Sequence, residues 1–219
     1  MDDFFAGLES RSHPWTAGRW DLHWHLMPSA SLAWQLAIDY RKLTHRDGIA
    51  PVAPAWLHVT VARVGVANDI SKHETAAIIE YVGEVVSAIK PFDLILDRPS
   101  IGQVAIECAG RPGAPARSLW ELTAGVSRQI LGDRFPQPSA SYAPHLSLGY
   151  GIAGPSRPDR AAMKAWLSDH PGEPVSMHAD RLVLVSQCHD RRSITWERLA
   201  EVPLRCSASD SSSGRIPLG

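Results

Sequence analysis

The chain has 219 residues, 44% of them apolar and 21% charged, enough for a domain with a real core and far from the composition of a disordered or fibrous protein. Its formal net charge of -1 excludes a global electrostatic footprint for long nucleic acid, so a polyanion would have to be held by a local cluster. Arg far outnumbers Lys among the basic residues, and a guanidinium is the better fork for phosphate oxygens.

Residues 1–18 are polar and mixed and read as an N-terminal arm. The acidic opening Met1-Asp2-Asp3 lacks the basic start of a signal peptide, and no apolar run approaches the roughly 18 to 20 residues of a membrane span. Cys108, Cys188 and Cys206 are odd in number and widely spaced, which speaks against a disulfide framework or a thiolate zinc site. The expectation is a cytoplasmic protein, away from membranes and monomeric.

A first strand is expected over 20–26, short, aromatic-rich and closed by Pro28. Ser29 or Ser31 then caps a helix on which Leu32, Leu36 and Tyr40 recur at helical spacing. After Pro51 and Pro54 the alternating, β-branched run 56–64 predicts a strand, and the spacing of Ile78, Val82, Val85 and Ile89 predicts a helix over 72–89. Strands are expected over 92–96 and 103–108, a helix over about 116–131, a strand over 142–150 and a short helix over 158–167. A closing pair of strands is expected over 181–186 and 194–199. Residues 19–204 would form one body, and 205–219, Ser-rich and apolar-poor, a disordered tail. Strands interleaved with helices and hairpin-like pairs point to α+β or α/β.

Two tetrapeptides carry the chemistry: His58-Val59-Thr60-Val61 and His145-Leu146-Ser147-Leu148. Side chains alternate along a strand, so His58 and Thr60 project together while Val59 and Val61 pack the other way, and the second copy behaves identically. The copies lie 87 residues apart, each after a helix-bearing segment, which suggests duplicated lobes related by a pseudo-twofold axis. Facing one groove, they would supply two imidazoles and two hydroxyls. A neutral imidazole takes a proton from the attacking water or hydroxyl, and a protonated one gives a proton to the leaving oxygen. The hydroxyls donate to the oxygens where charge accumulates. That set needs no metal or other cofactor for in-line displacement at phosphorus.

With Tyr142-Ala143-Pro144 before the second copy, the pair resembles the two-histidine (2H) phosphoesterase superfamily, and within it the bacterial proteins labelled 2'-5' RNA ligase or RNA 2',3'-cyclic phosphodiesterase. The resemblance implies a bilobal α+β fold, with antiparallel-rich sheets facing a central cleft and helices outside. It implies hydrolysis of a cyclic phosphodiester, with His58 as general acid, His145 as base, and Thr60 and Ser147 holding the phosphate. The partner would be a nucleotide or RNA terminus bearing a cyclic phosphate, or a small cyclic phosphate. The weak basicity favours the smaller ligand. Ligation in the same site, or a catalytically silent nucleotide- or RNA-binding groove, are the rival readings.

Further residues have two readings each. His23 and His25 share a face of the first strand: either one lines the cleft or they form a partly exposed pair. Arg63 stands at an odd offset from His58, on the other face unless a bulge intervenes. Tyr142 stacks on a base or packs in the core. Arg191 and Arg192 reach a phosphate or occupy a solvated turn. Trp15, Trp20 or Trp24 would stack a base at the rim, or pack. His13, His45, His73, His170 and His178 are expected at the surface.

Overall fold

The computed structural model describes residues 1–136, 142–170 and 172–205, so the expected tail lies outside the described residues except for Arg205. In chain order the elements are α1 (Phe4–Glu9), β1 (Asp21–Leu26), α2 (Ala30–Asp39), α3 (Arg41–Thr44), β2 (Ile49–Pro51), β3 (Val59–Val66), α4 (Lys72–Val86), β4 (Phe92–Leu96), β5 (Ser100–Ile101) and β6 (Ala105–Arg111). They continue as α5 (Gly113–Leu131), β7 (His145–Gly151), α6 (Arg160–Asp169), β8 (Val175–Ala179), β9 (Arg181–His189) and β10 (Ile194–Pro203). None of the described helices is long and apolar enough to cross a membrane.

Local chemistry sets the boundaries. Ser29 caps α2 by accepting from the Leu32 amide, and Ser71 and Glu74 form a reciprocal capping box at the start of α4. Helix α4 stops at Val86, three residues before the expected end, where the Ser87 hydroxyl closes the turn onto the Glu84 carbonyl. A 3-10 turn over Pro54–Trp56 delays β3 until Val59, so His58 sits at the strand's threshold rather than within it.

The strands form one curled antiparallel sheet in the order β10-β9-β1-β3-β7-β6-β4-β8, with β2 added to β7 and β5 to β6. Two four-strand halves meet where β3 and β7 touch, at the single pair Val59↔Leu146. Each half carries a strand–helix–strand unit that ends in a tetrapeptide: β1, α2, α3 and β3 in one, β6, α5 and β7 in the other. The duplicated arrangement expected from the spacing is present, with one departure from simple succession: the first half borrows its outer strands, β9 and β10, from the far end of the chain.

One face of the sheet carries the main core. Leu22, Trp24, Val59, Val61, Leu146 and Leu148 lie there beneath α4 and α5, represented by Ile78, Val82 and Leu119. The opposite face holds a smaller cluster in which Val183, Val185 and Trp196 meet Phe5 and Leu8 of α1. Residues 1–18, expected as an arm, are thus laid against the sheet. Phe4 stacks on Tyr150 at 4.3 Å and Phe5 on His189 at 5.1 Å between ring centroids, while the Asp2 amide donates to the Gln103 carbonyl of the other half.

Candidate active site

The antiparallel pair Val59↔Leu146 decides what meets what. One step to either side of it, Thr60 comes opposite His145 and His58 opposite Ser147, so each imidazole neighbours the other copy's hydroxyl. Val59, Leu146 and Leu148 are buried on the core side, and Thr60, His145 and Ser147 line a cleft of about 930 Å³ together with His58. All four residues expected from the tetrapeptides share that cleft.

Both rings are anchored alike. Nδ1–H of His58 donates to the Trp56 carbonyl at 2.9 Å, and Nδ1–H of His145 donates to the Ala143 carbonyl at 3.1 Å. In each case the acceptor lies two residues upstream. Fixing the proton on Nδ1 leaves Nε2 as the nitrogen available to a ligand.

Their surroundings differ. His58 is buried, stacked on His25 at 4.0 Å with the edge of Trp196 at 4.8 Å, and desolvation pushes its pKa down to about 4. The anchor to Trp56 pushes it back up less strongly, and the neighbouring His145 adds to the lowering. The side chain of His145 is 49% exposed.

Strand register explains the remaining residues. Pairing of His25 with Thr60 puts His25 on the cleft side of β1, but His58 and Trp196 cover it. His25 is therefore fully buried one layer behind the His58 ring and does not line the cleft; His23 does, and both rings are too buried to form an exposed pair. Burial pushes His23 down to about 4 and His25 well below the ordinary imidazole range.

An irregularity between Trp24 and His25 in the β1–β3 ladder shifts the residues of β3 beyond Thr60, so that Arg63 comes opposite His23 and reaches the cleft. Its guanidinium is ion-paired at 2.8 Å to Asp21, a fully buried carboxylate that also takes two bonds from Arg19, and lies 6.0 Å from the centre of the Phe135 ring. Tyr142 is part-buried: its hydroxyl donates to the Thr60 carbonyl at 3.0 Å and its ring stacks on Trp120 at 5.9 Å, both rings facing the cleft. Among the tryptophans, Trp15 lines the cleft and Trp24 is core. Arg191 occupies a turn at φ 69°, near Asp3 and Glu9. His13 lines the cleft rim, whereas His45, His73, His170 and His178 are exposed.

Glu107 was not legible as a site residue. It stands opposite Ser147, accepts the Ser147 hydroxyl at 3.2 Å, and lies 3.7 Å from Nε2 of His145. A lone acid in an apolar strand carries no signal until the β6–β7 register is known; an irregularity at Ile106/Glu107 aligns the two. Among the described residues, no group of three or more His, Cys, Asp or Glu is arranged to hold a metal ion.

Several solved structures share this fold. E. coli LigT complexed with 3'-AMP aligns at a TM-score of 0.66 and 17% identity, over 85% of this chain and 98% of that one. A protein solved as a phosphoesterase aligns at 0.65 and 18%, over 86% and 99%. TT0787 of Thermus thermophilus aligns at 0.64 and 17%, over 85% and 99%. No curated protein matches the chain. A family model described as the 2'-5' RNA ligase superfamily matches residues 30–191, which include both tetrapeptides and the strands that bear them, and the chain belongs to that superfamily.

Proposed function

We propose that the protein hydrolyses a cyclic phosphodiester, a 2',3'-cyclic phosphate of a nucleotide or RNA end or a related small cyclic phosphate, by paired-histidine acid–base catalysis without a metal. The observation that carries this reading is the cross-strand square of His58, Ser147, Thr60 and His145 with both Nδ1 atoms tied to backbone. Two free Nε2 atoms flanking two hydroxyls match what in-line displacement needs: one proton taken, one proton given, and donors for the equatorial oxygens. LigT, a structural relative, has been solved with ATP, 3'-AMP and NADP+, which supports a nucleotide-sized ligand. Rings available to a base or ribose are at hand in Trp120, Tyr142 and Trp15.

The family resemblance gives the acid role to His58. Its burial supports the opposite assignment for hydrolysis: a ring whose pKa sits at about 4 is neutral at pH 7, ready to take the proton of water and almost never charged to give one. His145, exposed and beside a carboxylate, is then the donor to the leaving oxygen. The test is turnover of 2',3'-cyclic nucleotides by the wild type, with and without EDTA. Each of His58→Ala and His145→Ala is expected to lower kcat/KM by about 10²- to 10⁴-fold, and EDTA to change nothing. Full activity in either variant, or loss with chelator, defeats the reading.

A further inference from the structure

A negative charge at a phosphate site demands an explanation. Ser147, one of the two hydroxyls proposed to hold the phosphate, donates to Glu107 at 3.2 Å. The same carboxylate oxygen lies 3.7 Å from Nε2 of His145, the nitrogen its backbone anchor leaves free. The corresponding position in the other half, opposite Thr60, is His25, which carries no negative charge. The anion is thus on one side of the square only, within the cleft and about one-third exposed.

We propose that Glu107 is a specificity-determining residue that selects the charge state of the bound phosphate, admitting the monoanionic cyclic diester and disfavouring the dianionic monoester. The inference rests on the functional reading above. Hydrolysis adds water across one P–O bond: the hydroxide oxygen bonds to phosphorus, the ribose oxygen leaves and takes a proton, and a second ionisable P–OH is created. Above the second phosphate pKa, near 6, the product therefore carries one more negative charge than the substrate. A fixed carboxylate a few ångströms from the bound oxygens repels the second charge as it does the first, so its cost is greater for product. Ser147 is held in place by the same group until a phosphate oxygen takes over its proton.

The experiment uses the His58→Ala variant, in which turnover is expected to be slow enough for binding to be measured, with Glu107 intact or changed by Glu107→Gln. Dissociation constants for 2',3'-cyclic AMP and for 2'-AMP are measured by calorimetry at pH 8. Glu107→Gln is expected to tighten the monoester roughly fivefold more than the cyclic diester, a screened charge effect at a part-exposed site. Ser147→Ala, which removes a donor both ligands use, should weaken both and leave their ratio in place. Wild-type turnover combined with a ratio unmoved by Glu107→Gln overturns the role of Glu107 alone. A moved ratio without turnover overturns the hydrolytic reading and leaves the charge selection standing. Binding of neither ligand overturns both.

Discussion

Two imidazoles with the same backbone anchor are made unequal by what covers them. His58 is walled in by His25 and Trp196, and His145 opens to solvent beside Glu107. Under the proposed reading, the inequality between the two rings comes from packing and not from a difference in the motif itself. A diester whose leaving group is p-nitrophenolate needs no acid, which gives a test of the assignment. With such a substrate His145→Ala is expected to recover most of its lost activity, and His58→Ala none. Rescue of His58→Ala instead would restore the roles implied by the family resemblance.

At the scale of elements, α1 has more consequence than its six residues suggest. Phe5 is fully buried and Leu8 nearly so, on the same side of the sheet as the two tetrapeptide histidines, and Phe4 and Leu8 form part of the cleft wall. Phe5→Ala is expected to cost about 3 kcal/mol of stability, read as a shift in the urea midpoint; an unmoved midpoint would show that α1 is only loosely held. This helix was not legible in the sequence, because a segment so short shows no period and its burial depends on β9 and β10, almost the whole chain away. The tetrapeptides were legible for the opposite reason. Their meaning lies in alternation along a strand, a local property, and the aliphatic residues at 59, 61, 146 and 148 announce the buried face. Arg63 stands between these cases: its side of the sheet follows from an irregularity in the ladder that no spacing rule supplies. Glu107 and the burial of His25 belong wholly to cross-strand register.

For the molecule as a whole, three neutral imidazoles, His23, His25 and His58, are enclosed near the middle of the sheet. Folding lowers the pKa of each, so the unfolded chain binds more protons than the folded one between the ordinary imidazole value of 6.5 and about 4. Their contribution is fully present above pH 6.5 and is lost as pH falls towards 4. For a ring shifted from 6.5 to about 4 this amounts to at most about 3 kcal/mol. The melting temperature is therefore expected to be flat between pH 7 and 8 and to fall steeply from pH 6.5 to 4.5. His25→Asn should blunt the acid slope, even if it also lowers the plateau, and an equal slope in that variant would remove these rings as the cause.

The contact between the two halves has a consequence of its own. Because the square of His58, Ser147, Thr60 and His145 hangs on one residue pair, Val59 and Leu146, its spacing is inherited from backbone register, and register changes only in whole steps. A slip of two residues would carry one ring roughly 6.6 Å past the other, and a slip of one would turn it into the core. The geometry is in that sense digital. Substitutions in the surrounding side chains can tune how each ring titrates, but they leave the pairing of the rings alone, so a family built on this sheet is free to change its ligand while keeping its reaction.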